Sequence, residues 1–253
     1  MIGWKVHRPR VTSAEGEIPP ESGPPPLGEP FRADHHLASA AMSDQEKADA
    51  ARAAAQLVGD GQLVGLGTGT TVAHLLPALA ARALAIRCVA TSPETERVAR
   101  ALGLEVVPFT GIERLDIAID GADQIDADGW LVKGGGGAHT REKVVAAAAA
   151  RFVVIASSEK AVARIGPPIP LELLCFGVDA TLGALGEVRL RPVPPSPDGG
   201  LIADYLGSFG DPAALTARLD ATPGLVGHGI FPPELTADIL LAANGRVEHR
   251  VLH

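Results

Sequence analysis

Short apolar segments alternate with helix-like segments between residues 43 and 156. The apolar segments have the length of buried strands and lie at 62–66, 86–90, 104–107, 115–119 and 152–156. Alanine-rich or charged segments with helical spacing lie between several of them. Strands that alternate with helices predict the α/β class: an open, mostly parallel, Rossmann-like sheet with helices on both faces.

Local signals mark where individual elements begin and end. Ser43 and Glu46 have the spacing of a capping box, which predicts a helix that begins at Ser43. Pro93 and Gly103 have the positions expected just inside the start and just past the end of a second helix. The pair Asn244-Gly245 is a two-residue turn signal, which predicts a closing hairpin.

The pattern divides the chain into three segments. Residues 1–42 are rich in proline and lack periodicity, so we predict a disordered N-terminal extension. Met42 is the only methionine besides Met1, and we expect this extension to be a dispensable tail or an over-long start. Residues 43–166 are predicted to form an α/β domain with the candidate catalytic residues. Residues 167–253 are predicted to form a smaller α+β subdomain with return strands to the main domain.

Composition excludes several classes of protein. The 253 residues are 46% apolar with a formal net charge of −8, a globular balance that requires no disulfide or metal for folding. Cys88 and Cys175 lack zinc-site or disulfide-framework spacing, which indicates a reducing, cytoplasmic setting. The acidic balance and nine aromatic residues argue against a nucleic-acid partner. No membrane span or secretory signal is predicted.

A loop rich in glycine and threonine follows the first predicted strand. It reads Gly-Leu-Gly-Thr-Gly-Thr-Thr over residues 65–71 and leads into a helix. The free N–H groups of a helix N-terminus, together with hydroxyl donors, favour binding of a phosphate. The spacing matches neither a P-loop nor GxGxxG, so a nucleotide is not favoured. Tight packing of the loop alone remains the alternative.

Two aspartates follow the strand at 115–119. Asp120 and Asp123 lie at the carboxyl end of this strand, the edge at which open α/β sheets bind ligands. Two carboxylates at such an edge can hold sugar hydroxyls or move protons between oxygens. An ordinary Asp-Gly turn with a helix cap is the alternative.

Four consecutive glycines, residues 134–137, separate Lys133 from a helix that contains Glu142. Their high entropic cost between a strand and a helix indicates an unusual loop, which can turn both charged side chains toward one pocket. A flexible linker is the alternative. We predict that His139 shapes the loop rather than acting as a base. The helix N-terminus lowers the pKa of Glu142 and burial raises it, and the sequence leaves this balance open.

These three segments resemble, in order and spacing, the signature segments of type A ribose-5-phosphate isomerase. The resemblance extends from about Ser43 to the C-terminus and includes residues 155–160 and 222–226. It implies interconversion of D-ribose 5-phosphate and D-ribulose 5-phosphate through an enediolate, in the non-oxidative pentose phosphate pathway. It also implies a cytoplasmic homodimer that needs no cofactor and no metal. Gln124 departs from the family pattern, which usually has Glu there.

The resemblance implies a role for each matching position. Glu142 would be the base that transfers the proton, and Lys133 with the glycine amides after it would stabilise the enediolate. Asp120 and Asp123 would contact the sugar oxygens and help to open the ring. The threonines of residues 68–71 would hold the phosphate, assisted by Lys47. The substrate-binding positions implied are Lys47, Thr68, Gly69, Thr70, Thr71, Asp120, Gly121, Ala122, Asp123, Lys133, Gly134, Gly135, Gly136 and Lys160.

Two other functions fit parts of this pattern. A sugar-phosphate sensor, the effector domain of a transcription regulator, needs a DNA-binding module, and the proline-broken residues 1–41 lack helix-turn-helix periodicity. A related sugar-phosphate deaminase or lactonase is disfavoured because Lys133 and Glu142 occur together with both turn aspartates. An isomerase assay on ribose 5-phosphate separates the three functions.

Overall fold

The computed structural model describes the backbone of residues 33–253 and the side chains from residue 41 onward. Six α-helices lie in this part of the chain: α1 Ala33–Ala55, α2 Thr70–Ala80, α3 Pro93–Ala101, α4 His139–Ala148, α5 Val178–Leu185 and α6 Pro212–Asp220. Every helix there is too short or too polar to cross a membrane. The disorder predicted for residues 1–32 lies outside the described residues, and residues 33–42 are helical.

Fourteen strands lie in the described residues and form three sheets. The strands are β1 Leu63–Leu66, β2 Arg87–Ala90, β3 Glu105–Val106, β4 Ile117–Gly121, β5 Gln124–Ile125, β6 Leu131–Val132, β7 Phe152–Ser157, β8 Ile169–Leu173, β9 Val188–Leu190, β10 Leu201–Tyr205, β11 Leu225–His228, β12 Ile230–Phe231, β13 Asp238–Ala243 and β14 Arg246–Val251. The strands predicted in the first 156 residues are all present, with ends shifted by up to two residues.

The main sheet has seven strands in the order β14-β13-β7-β4-β1-β2-β3. All neighbours are parallel except β13 and β14, which form the predicted hairpin. The main sheet has a hydrophobic core on each face, and alternate residues of β4 point into one or the other. Ile117 and Ile119 pack with residues of α1 and α2 on one face, whereas Ala118 packs with Val145 of α4 on the other. Helices therefore cover both faces, and the predicted fold class is confirmed.

The second sheet is antiparallel, with the order β11-β8-β10-β9, and packs against α5 and α6. A small third sheet joins it to the main domain, because β6 pairs with both β5 and β12. Val132 of β6 lies in the core of the second sheet. The subdomain boundary at residues 166 and 167 stays a prediction, and this third sheet crosses it.

The first helix begins at Ala33, so its predicted start at Ser43 is wrong. Ser43 and Glu46 both lie inside α1, and the Glu46 carboxylate does not cap the helix. It is buried and accepts hydrogen bonds from the backbone N–H of Ser158 at 3.0 Å and of Asn244 at 3.2 Å. Glu46 therefore fastens α1 to the end of β7 and to the closing hairpin. The prediction failed because the capping-box pattern is only four residues long. A glutamate that is buried for contacts with distant residues can produce the same pattern inside a helix.

Candidate active site

A cavity lies at the carboxyl ends of β1 and β4 in the main sheet. Its walls come from the loops that follow β1, β4 and β6, from the start of α4 and from the short 3-10 helix Ser158–Lys160. The lining residues are Thr68, Gly69, Thr70, Thr71, Gly121, Ala122, Asp123, Lys133, Gly134, Gly135, Gly136, Glu142 and Lys160. The structure therefore brings the three sequence segments together at one place.

Two residues predicted for the site lie outside this lining. Lys47 is on α1 and does not reach the cavity wall. Asp120 lies behind the wall, where its carboxylate is buried and accepts the backbone N–H of Thr68 at 3.0 Å. Lys160 does reach the cavity, from the 3-10 helix.

The threonine loop ends in the N-terminus of α2. Gly69 precedes the helix with a φ of 117°, a value that favours glycine. The first bond of the helix runs from the N–H of Ala73 to the carbonyl of Gly69. The N–H groups of residues 70–72 are therefore left for a ligand, at the positive end of the helix dipole. Beneath the loop, the Thr68 hydroxyl lies 2.7 Å from that of Thr91.

Lys133 occupies the centre of a buried charge cluster. Its ammonium nitrogen lies 2.9 Å from Oδ2 of Asp120 and 3.3 Å from Oε2 of Glu142, and it donates to the carbonyl of Gly121. All three charged side chains are at most 4% exposed. Phe231 closes one side, with its ring centroid 5.5 Å from the nitrogen. Two carboxylates thus share one ammonium in a place that excludes bulk water.

Burial decides the protonation balance that the sequence leaves open. It raises the pKa of Glu142 to about 8; the Asp120 charge adds to this, and Lys133 opposes it. Burial also raises the pKa of Asp120, against the attraction of Lys133. The pKa of Lys133 is lowered by burial, but the two carboxylates outweigh this effect and raise it to about 12. Glu142 can therefore gain or lose a proton near neutral pH.

The glycine segment is a packed loop, and the flexible-linker alternative is wrong. The N–H of Gly135 donates to Oδ2 of Asp123 at 2.7 Å. Gly134 has a φ of 105°, and a Cβ there would lie 2.7 Å from the His139 side chain. His139 is fully buried, and this burial lowers its pKa to about 3, so the ring is neutral and lies outside the cavity lining. His139 packs against the loop at Gly134, and its role in shaping the loop stays a prediction.

The departure at Gln124 has a structural reason. Its side-chain amide donates to the carbonyl of Gly166 at 2.9 Å and accepts the N–H of Gly166 at 2.8 Å. A carboxylate can accept but cannot donate, so only an amide makes both bonds. Gln124 lies outside the cavity lining and supports the loop that leads into β8.

Sequence reasoning missed Arg191, which follows β9 in the second sheet. Its Nη1 donates to the carbonyls of Gly134 at 3.0 Å and Gly135 at 2.9 Å. Nε and Nη2 bind the carboxylate of Asp204 at 3.0 and 2.7 Å. Arg191 precedes a proline-rich stretch and has no local motif, so nothing in its sequence context points to the glycine segment.

An open parallel sheet with a charged cavity at its carboxyl edge defines an α/β protein that binds a polar ligand at the strand ends. The family model for ribose 5-phosphate isomerase A (phosphoriboisomerase A) matches residues 87–245. Ribose-5-phosphate isomerase A of Sphingopyxis alaskensis is 40% identical over 221 residues, which cover 81% of this chain and 96% of that relative. The chain belongs to the ribose 5-phosphate isomerase A family, which confirms the resemblance.

Solved structures agree with this assignment. Ribose 5-phosphate isomerase A from Neisseria gonorrhoeae matches with a TM-score of 0.80 and 28% identity, over 83% of this chain and 98% of that one. A D-ribose-5-phosphate isomerase in complex with phospho-erythronic acid matches with a TM-score of 0.77 and 26% identity, over 83% and 99% of the two chains.

Proposed function

We propose that this protein interconverts D-ribose 5-phosphate and D-ribulose 5-phosphate through an enediolate, as a step of the pentose phosphate pathway. The observation that carries the proposal is the buried ammonium of Lys133, held against Glu142 in the wall of a cavity that also contains the threonine loop. Family membership supports it. A related isomerase is in complex with phospho-erythronic acid, which combines a phosphate with a carboxylate whose negative charge resembles that of an enediolate.

The phosphate is placed at the N-terminus of α2. The free N–H groups there and the hydroxyls of Thr70 and Thr71 donate to its oxygens, and Lys160, which also lines the cavity, adds a positive charge. Lys47 keeps the assisting role that the resemblance implies, acting from outside the cavity wall. Binding at this end orients the reacting end of the sugar against Glu142.

Glu142 transfers the proton between carbons. Its carboxylate removes the C2 proton of the open-chain aldose and returns it to C1, while a proton passes from the C2 hydroxyl to the C1 oxygen. The intermediate carries negative charge on oxygen, next to the Lys133 ammonium and the glycine amides. Asp123, in the cavity wall, contacts the sugar oxygens and assists ring opening. Asp120 acts through Lys133, which it holds in place at 2.9 Å.

The test is conversion of ribose 5-phosphate to ribulose 5-phosphate by the purified full-length chain, with and without a metal chelator. Turnover that the chelator leaves unchanged supports the proposal. Binding of ribose 5-phosphate without turnover would indicate the sensor instead. Release of ammonia from an amino sugar phosphate, or opening of a lactone, would indicate the deaminase or lactonase.

We infer a cytoplasmic homodimer. Cys88 and Cys175 are both free thiols, as expected of a protein in a reducing compartment. Phe176 is 92% exposed in the turn between β8 and α5, Leu174 is exposed directly after β8, and Val226 is exposed on the neighbouring strand β11. This apolar surface is suited to a second copy of the chain. Sedimentation equilibrium gives the mass in solution, and the mass of one chain would refute the dimer.

Replacing Thr71 by Ala is expected to weaken substrate binding. Thr71 lies in the first turn of α2 and lines the cavity. Loss of one hydrogen bond to a charged phosphate costs about 1.5–3 kcal/mol, or about 10- to 100-fold in KM, with little change in kcat. Steady-state kinetics measures both constants. The matched control is Thr110→Ala, at an exposed position on a loop. An unchanged KM in Thr71→Ala would contradict the phosphate assignment.

Activity is expected to rise with pH until it levels off near pH 8. Only the ionised Glu142 carboxylate removes a proton, and burial raises its pKa to about 8. Below that value kcat/KM should fall about tenfold per pH unit, since the ionised fraction falls by that factor. A pH–rate profile checks this, with the residual activity of Glu142→Gln expected to lack the step. A flat wild-type profile from pH 6 to about 8 would refute it.

A further inference from the structure

The glycine segment, residues 134–137, is held from outside the cavity by an arginine of the second sheet. Arg191 is absent from the cavity lining, and its side chain is 18% exposed. Its guanidinium binds the carbonyls of Gly134 and Gly135, at 3.0 and 2.9 Å, through a single nitrogen. The glycine carbonyls therefore point toward Arg191.

Peptide geometry gives this contact a consequence inside the cavity. In a trans peptide the C=O and the following N–H point in opposite directions. Carbonyls of Gly134 and Gly135 that face Arg191 therefore turn the N–H groups of Gly135 and Gly136 away from it. The N–H of Gly135 does donate to Asp123, a cavity-lining residue, at 2.7 Å. Arg191 thus sets which side of the loop presents donors to the ligand.

Asp204 fixes the arginine in turn. Both oxygens of its carboxylate accept from the guanidinium, at 3.0 and 2.7 Å, and Asp204 itself is buried in β10. A planar guanidinium bound by two parallel hydrogen bonds has a fixed orientation. The second sheet therefore supplies a rigid support for the part of the backbone with the greatest conformational freedom.

We propose that Arg191, oriented by Asp204, is a positioning residue that aims the Gly136 N–H group at the oxyanion of the enediolate, while the Gly135 N–H holds Asp123. This inference rests on the proposed isomerase function. A cation on a peptide carbonyl polarises that peptide and strengthens its N–H as a donor. Donors oriented before the reaction stabilise the developing charge without reorganisation. Arg191 thus acts on the reacting end of the substrate, and the α2 N-terminus binds the phosphate end.

Arg191→Gln is the first test. We expect kcat to fall about 10- to 100-fold with KM within about threefold of wild type, because the donors serve the transition state more than the bound substrate. Asp204→Asn should show the same pattern more weakly. Arg191→Lys should recover part of kcat, since an ammonium can reach the carbonyls but cannot also bind Asp204 with two parallel bonds. The matched control is Arg189→Gln, an exposed arginine on β9 two residues before Arg191.

Measurements of ligand affinity distinguish two explanations for a loss of activity in Arg191→Gln: misplaced glycine N–H donors, or general damage to the site. In Arg191→Gln the affinity for phospho-erythronic acid, measured by calorimetry, should fall by a factor close to the loss in kcat. The affinity for inorganic phosphate should be unchanged, because the α2 N-terminus is untouched. A variant with kcat and both affinities within twofold of wild type would overturn the inference. Equal losses for the two ligands, together with a raised KM, would also overturn it.

Two further measurements show whether a negative result refutes the role of Arg191, refutes the proposed isomerase function, or reflects a variant that does not fold. A wild-type chain that fails to isomerise ribose 5-phosphate refutes the proposed function, whereas an active wild type with an equally active Arg191→Gln refutes only the role of Arg191. Circular dichroism and thermal unfolding establish whether each variant folds. If Arg191→Gln does not fold, Arg191→Lys and Asp204→Asn decide by the same ligand comparison.

Discussion

Replacing Glu142 by Gln is expected to lower kcat by at least about 10³-fold, within the range attributed to a positioned general base. Glutamine keeps the size of the side chain and a hydrogen-bond acceptor for Lys133, but it cannot take a proton from carbon. Glu142 is 4% exposed, so water cannot readily replace it as the base. Substrate affinity should change little, because the phosphate binds at the threonine loop.

A coupled assay that follows ribulose 5-phosphate measures this loss, and a direct titration with substrate measures the affinity. Glu113→Gln is the matched control, because the same chemical change is made at an exposed position on a loop. Turnover of Glu142→Gln within tenfold of wild type would assign the proton transfer to another group. A large loss of affinity would instead place Glu142 in substrate binding.

Replacing Lys133 by Met is expected to damage both stability and activity. The ammonium lies between two buried carboxylates, at 2.9 and 3.3 Å. Removal of one partner from a buried ion pair costs about 3–5 kcal/mol, because the remaining charge is left without compensation. Loss of the cation that faces the enediolate should also lower kcat by at least about 100-fold.

Urea unfolding gives the change in the free energy of unfolding, and the isomerase assay gives kcat. The double variant Lys133→Met/Glu142→Gln is the informative control. With one carboxylate neutralised it should recover part of the lost stability while remaining inactive, a non-additivity typical of groups in contact. If the free energy of unfolding of Lys133→Met lies within about 1 kcal/mol of wild type, the prediction is contradicted. That result would show that the buried carboxylates become protonated and so do not need the ammonium to balance their charge.

The candidate site could be predicted largely from the sequence because its residues follow three strands, β1, β4 and β6, that end at the cavity. The glycine–threonine loop follows β1, Asp120 and Asp123 lie at the end of β4, and the Lys133 segment follows β6. Carboxyl ends of strands in an open sheet meet at one edge, so local motifs on separate strands converge. Arg191 escaped prediction because its partners, Gly134 and Gly135, lie far away in the chain, in a loop that no local motif links to the second sheet.

The second sheet was predicted least completely. The α+β character of residues 167–253 is predicted from the sequence, but β8 is not. Its five residues are all buried although they include Pro170 and Glu172. Glu172 accepts a hydrogen bond from Ser196, which lets a carboxylate lie inside a strand core. Tertiary partners of this kind override the apolar pattern on which strand prediction depends.

The position of β13 in the main sheet bears on when this protein can first work. β13 pairs with β7, and β7 pairs with the strand that carries Asp120. The ribosome makes the whole second sheet before it makes β13, so the β7 edge of a nascent chain lacks its neighbour throughout that time. An open edge in a parallel sheet can pair with other chains. Until β13 is made, the strand beside the one that carries Asp120 is therefore an edge open to pairing with another chain.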